Sequence, residues 1–246
     1  MKKIILFFLL TTSFIIAQTF EEVSEIIYNK CTSCHRSGES GPMSFTNYSE
    51  VVSMGSMIEY VTQSGYMPPW PPDQDYSSLL DEHFLTDDEK QVISDWVSNG
   101  MPQGDPMQEA EVPSFSQGSA IGEPDYVFEL EEEYFIEGNN LDDYRVFVFQ
   151  TNFTEDTYIK AIEFRPDNRE AVHHALMMAD VTGTGALQDA ESPGILGYEA
   201  FGGFNLEGVS PNEYVFLGGY APGMNPIVWH GNLGMKIPAG ADILCQ

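Results

Sequence analysis

The chemistry open to this chain is concentrated in a few residues: three cysteines, five histidines and a set of methionines. Cys31-Thr32-Ser33-Cys34-His35 places two thiols three positions apart, with an imidazole directly after the second. Thiols so spaced reach both vinyl groups of a porphyrin, and the imidazole binds its iron from the same side. C-x-x-C-H therefore predicts covalent haem c, with Cys31 and Cys34 as attachment points and His35 as proximal ligand. A redox C-x-x-C would sit beside a βαβ pattern, and a zinc site would need a second ligand pair at suitable spacing; the sequence has neither. A Cys31–Cys34 disulfide without haem is the remaining alternative in an oxidising compartment.

The distal side of such a haem needs a second ligand. Met67, in Tyr66-Met67-Pro68-Pro69-Trp70, is the choice, because Pro68 drives the preceding residue towards extended backbone that presents its thioether. Methionine opposite histidine also raises the reduction potential. Met43, Met54, Met57, Met101 and His83 compete, and methionines commonly fill cores. Phe45, Trp70 and Trp96 are candidates to flank the porphyrin, with ordinary packing between helices as the alternative.

A second constellation is Val172-His173-His174-Ala175, inside a predicted strand. Copper takes imidazole ligands readily, so His173 and His174 are a candidate copper pair. Neighbouring side chains on a regular strand point to opposite faces, so both reach one ion only where the strand bends or bulges. His230, in Trp229-His230-Gly231, reads as a turn residue, and His83 as solvent-exposed in an acidic loop.

Two textures of chain would position these groups. From 18 to 105 the patterns are helical: Phe20 to Asn29, Tyr48 to Gln63, and a helix opened by the capping box Thr86-Asp87-Asp88-Glu89 and stopped by Gly100. A Pro- and acid-rich linker follows over 106–118. From 119 to 246 the runs are short and bounded by turn residues: Tyr126 to Leu130, Tyr144 to Phe149, Tyr158 to Phe164, Val172 to Met178 and Tyr214 to Leu217. The predicted fold class is multidomain, a small all-α unit followed by an all-β jelly roll or sandwich.

Residues 1–17 carry Lys2 and Lys3, the apolar run Ile4 to Leu10 and a small residue at Ala17, the pattern of a cleaved signal peptide; an uncleaved anchor is the alternative. The mature chain is then expected to be exported, periplasmic or extracellular, without an integral membrane segment. The formal charge of −28 excludes a nucleic-acid binder, which rests on Lys and Arg. With Cys31 and Cys34 committed to haem, Cys245 is left as a buried free thiol.

Phe164-Arg165-Pro166, Val172-His173-His174-Ala175, Gly219-Tyr220-Ala221-Pro222-Gly223 and Ile237-Pro238-Ala239-Gly240-Ala241 occur in an order that resembles the copper type II, ascorbate-dependent monooxygenases, the group of the peptidylglycine and dopamine hydroxylating enzymes. The first half, through Gly41-Pro42-Met43, Met67-Pro68-Pro69-Trp70 and Trp96-Val97-Ser98-Asn99-Gly100, resembles the cytochrome c domain that precedes this module in bacterial members. The resemblance implies that His173 and His174 bind the first of two coppers. It also implies a third histidine and a second copper site past Gln246, so that the chain reads as an N-terminal fragment.

The expected function is an exported haem protein that delivers electrons to a copper monooxygenase-like module hydroxylating a C–H bond with O2. The partners would be a redox protein and a small-molecule or peptide substrate. The alternative is a non-catalytic electron-transfer cytochrome with a β-sandwich binding domain.

Overall fold

A computed structural model describes residues 18–80, 82–115, 118–206, 208–210 and 213–246; the predicted signal peptide over 1–17 lies outside the described residues. The chain divides into two units. The first runs to Arg36 and resumes over Met43–Pro113, and the second combines Ser37–Pro42 with Ser114–Gln246.

Local sequence accounts for the ends of the helices in the first unit. Helix α1 (Phe20–Lys30) starts at Thr19, whose N–H donates to the Glu22 carboxylate at 3.2 Å. Phe20, Val23, Ile26 and Ile27 recur at helical spacing and are all buried. Residues 48–63 form two helices rather than the single one predicted, α2 (Tyr48–Ser53) and α3 (Gly55–Gln63), broken at Met54. The break falls where Gly55 comes up against Met101 and Trp96; a Cβ there would overlap the Met101 sulfur. Helix α4 (Asp87–Ser98) has the predicted capping box, with Thr86 Oγ1 accepting from the Glu89 N–H at 3.2 Å and the Glu89 carboxylate accepting from the Thr86 N–H at 2.7 Å. Gly100, at φ +83°, supplies the left-handed residue beyond its end. Phe20 lies at the middle of the core, its ring centroid 5.7 Å from that of Trp96 and 5.2 Å from that of Tyr48.

In the second unit a five-stranded sheet runs in the order β5-β1-β9-β4-β6, every neighbour antiparallel. Its strands are β1 (Arg145–Gln150), β4 (Ala175–Asp180), β5 (Tyr198–Glu199), β6 (Tyr214–Tyr220) and β9 (Asp242–Cys245). Two ribbons accompany it: β2 (Thr157–Ile159) with β8 (Met235–Ile237), and β3 (Ala161–Ile162) with β7 (Ile227–Val228). Alternation along β4 and β9 sends Met177, Ala179, Ile243 and Cys245 to one face, where Ile159, Ile162 and Ile237 of the ribbons cover them. The opposite face carries Val146, Met178 and Leu244, packed with Tyr198, Ala200 and Phe204. Helix α5 (Thr184–Ala190) closes on that side, since a Cβ on Gly185 would overlap Leu244.

The predicted fold class is overturned. The described residues hold five short helices, 20% helix, around a five-stranded antiparallel sheet. The four helices among the described residues of the first unit are 6 to 12 residues long, and the described residues between Ser64 and Thr86 and after Asn99 are irregular. They do not build a small all-α cytochrome c domain. Nor is the second unit an all-β jelly roll: it contains α5, and its second layer is a pair of two-stranded ribbons. Periodicity identified helical segments but carried no information on how briefly each would last. Residues 126–130 join no strand; the rings of Tyr126 and Phe128 rest on Phe153 and Phe149, with centroids 4.9 and 6.2 Å apart. No helix among the described residues is long and apolar enough to cross a membrane.

Candidate haem-attachment and metal sites

The C-x-x-C-H segment continues directly from α1. The Cys31 N–H donates to the Ile27 carbonyl at 2.9 Å, and the Cys34 and His35 N–H groups turn back onto the Cys31 carbonyl at 3.2 and 2.8 Å. Two side chains brace the turn from within. Buried Thr32 donates its hydroxyl to the Tyr28 carbonyl at 2.5 Å, and Arg36 Nη1 donates to the Thr32 carbonyl at 2.7 Å and to the Ser33 carbonyl. Both thiols are free, so no Cys31–Cys34 disulfide is formed. Burial, and after it the neighbouring Cys34, pushes the Cys31 thiol up to about 12, which keeps it protonated.

His35 is fixed at two points. Its Nδ1 lies 3.1 Å from the Met43 carbonyl, and its ring stacks on buried Phe45 at 4.7 Å between centroids and 22° between planes. A carbonyl can only accept, so Nδ1 carries the proton and Nε2 keeps its lone pair. Burial lowers the His35 pKa, against the opposing hydrogen bond to Met43, which favours the neutral, ligating imidazole. An orienting carbonyl on Nδ1 is the arrangement that metal-bound histidines use. The donor set therefore fits a covalently bound haem.

The candidate distal ligands separate by environment. Met43, Met54 and Met101 pack against the core of the first unit, whereas Met57 is exposed. Met67 follows α3, its N–H on the Val61 carbonyl at 3.0 Å and its peptide to Pro68 cis; it is half-buried and outside that core cluster. No hydrogen bond among the described residues joins Met67 to the Cys31–His35 segment. His83 is half-buried rather than solvent-exposed, and a hydrogen bond to the Lys30 backbone engages its ring. Burial, with the Lys30 charge, lowers its pKa. Of the aromatic candidates, Phe45 meets His35, whereas Trp96 is fully buried and donates Nε1–H to the Pro102 carbonyl at 3.0 Å. Trp70 is half-buried in the irregular segment.

In the second unit β4 begins at Ala175, so His173 and His174 lie ahead of the strand and not inside it. Asn168 shapes the approach, its carboxamide oxygen accepting from the Ala171 N–H at 3.1 Å and its carbonyl from the Val172 N–H at 3.2 Å. Off the pleat, the two side chains escape the opposite-face rule, and their Nδ1 atoms converge to 3.1 Å. Two ligands of one ion, with bonds of about 2.0–2.1 Å, can span that separation. Both rings are exposed. Tyr144, which the sequence reading passed over, lies beside His174 at 6.3 Å between ring centroids and packs edge-on against Phe201. No group of three or more His, Cys, Asp or Glu side chains among the described residues is arranged to hold a metal ion. His230 is exposed in a turn, its carbonyl accepting from the Leu233 N–H at 3.2 Å. Cys245 is buried in the sheet, and burial pushes its thiol up to about 12.

Arg36 and the Met43 carbonyl are the positioning groups that sequence reasoning missed. Arg36 adjoins the motif, and Met43 lies in Gly41-Pro42-Met43, but a backbone carbonyl has no residue-type signal. No protein-family model, curated protein or solved structure matches the chain.

Proposed function

We propose that the chain is an exported redox protein that holds haem c through Cys31 and Cys34, with His35 on the iron, Met67 as distal ligand, and copper on His173 and His174. The observation that carries this reading is the His35 ring: Nδ1 is engaged by the Met43 carbonyl, the plane is set by Phe45, and Nε2 is left to ligate. Free thiols at Cys31 and Cys34, on a turn braced by Thr32 and Arg36, supply the attachment points. Met67 is favoured because its thioether is not spent on the core.

Haem c would supply a one-electron couple tuned by its axial ligands, and copper would supply the O2 chemistry of C–H hydroxylation in the monooxygenases that the second half resembles. The protein's part is to keep His35 neutral and oriented, and to present two imidazole nitrogens on one side of the His173–His174 segment. A redox partner and a small-molecule or peptide substrate belong to this reading. A second reading, an electron carrier whose β unit has no catalysis, is favoured by one observation: the histidine pair has no third His, Cys, Asp or Glu donor beside it among the described residues.

Haem and copper per chain, measured by optical spectrum and elemental analysis after expression with haem-maturation machinery, test both. One haem with bound copper supports the monooxygenase reading. One haem without copper leaves the carrier. A colourless protein without a Soret band removes both.

A further inference from the structure

Asp180 and Asp242 are directly opposed across the β4–β9 ladder, so their side chains leave the sheet on one face. That face also carries Leu244, against which α5 packs. Asp180 is 1% exposed and fully engaged: Oδ1 accepts from the Thr182 N–H at 2.8 Å and the Thr182 hydroxyl at 2.6 Å, and Oδ2 from the Gly185 N–H at 3.0 Å. Asp242 is half-buried, and no hydrogen bond to its side chain is seen among the described residues.

Among the described residues, the groups around the pair offer no compensating charge. Opposite Asp180 on β6 is Tyr214, and opposite Asp242 on β1 is Gln150. From β5 comes Tyr198, which donates its hydroxyl to the Phe204 carbonyl at 2.8 Å, and α5 brings Thr184 and Asp189. None of these is a lysine, arginine or histidine.

We propose that Asp180 and Asp242 form a pH-responsive carboxyl pair, in which Asp180 anchors α5 and Asp242 takes up a proton to relieve the charge across β4 and β9. Burial, and after it the Asp180 charge, raises the Asp242 pKa in keeping with this. A group whose folded pKa is raised contributes stability that is complete below its unfolded value and is lost as pH rises through the folded value. The second unit thus loosens at β9 as pH climbs out of the acidic range.

The test is thermal unfolding of the full chain against its Asp242→Asn variant from pH 3.5 to 8, with Glu155→Gln as an exposed control for the same change of charge. Asp242→Asn should match the wild type at the acid end and exceed it by a few degrees at pH 7 to 8. A carbon-detected NMR titration should place Asp242 above the ordinary aspartate range, and Asp180→Asn should return it there. Should Asp180→Asn fail to fold, the Asp242→Asn series decides alone. A melting difference independent of pH, a difference equal to that of Glu155→Gln, or an ordinary Asp242 titration overturns the proposal.

Discussion

His35 and the His173–His174 pair illustrate two ways of presenting an imidazole. His35 is half-buried, its Nδ1 on a main-chain carbonyl and its plane against Phe45, so its orientation is set before any metal arrives. His173 and His174 are exposed, and among the described residues the one hydrogen bond between side chains there is that between their own rings. As the proposed haem and copper sites, the first would be preorganised by groups that hold no metal, and the second would have its donors close together without such support among the described residues. A preorganised site resists loss of a metal and depends on its supports, whereas an unsupported one depends on each ligand alone.

The harshest way to break the comparison is to remove the covalent link. Cys31→Ser with Cys34→Ser should abolish haem that survives denaturation, giving no Soret band on the unfolded chain, and should leave copper bound to the second unit unchanged. Equal loss of both metals would mean that the two sites are not separable. Next in size is the support of His35. Phe45→Ala removes a buried ring from the core and a stacking partner from the imidazole, and should cost about 3–5 kcal/mol in denaturant unfolding. It should also lower the haem yield by freeing the His35 plane.

The pair in the second unit should answer to single ligands. His174→Ala should weaken copper binding by more than the 10–100-fold, roughly, that loss of an outer-shell partner costs, read by titration against a competing chelator. Tyr144→Phe keeps the ring beside His174 and should leave affinity within about twofold, since no hydrogen bond from Tyr144 reaches the imidazole. A large effect of Tyr144→Phe would make this site as supported as that of His35, and the contrast would fail.

The parts of the molecule that were legible in the sequence are those written locally. Thr86 with Glu89 announces α4 within four residues. Where an outcome depended on distant partners, the sequence was silent. Helix α5 has no side-chain cap of its own on Gly183, and its first turn is held by Asp180 from β4. The central strand β9 is four residues buried largely on both faces, a run too short to show a period. Residues 126–130 read as a short apolar run typical of a strand, but Tyr126 and Phe128 rest on Phe153 and Phe149 without strand pairing. The histidine pair is the instructive miss. Placed inside a strand, it looked divided between two faces, and the turn at Asn168 that ends the irregular segment before β4 removes that objection.

The smallest expected loss of stability follows from that local legibility. Thr86→Ala removes the oxygen that accepts from the Glu89 N–H and one of the donors to the Glu89 carboxylate, and should cost about 1 kcal/mol. Because α4 packs its Ile93 and Trp96 against α1, that loss should reach the segment that continues into Cys31, yet leave His35 on its carbonyl. Hydrogen exchange should therefore quicken in α4 and α1, while the haem spectrum stays unchanged. A shifted spectrum would show that the His35 support depends on helix packing as well as on Met43 and Phe45, and the preorganised site would then extend through the core of its unit.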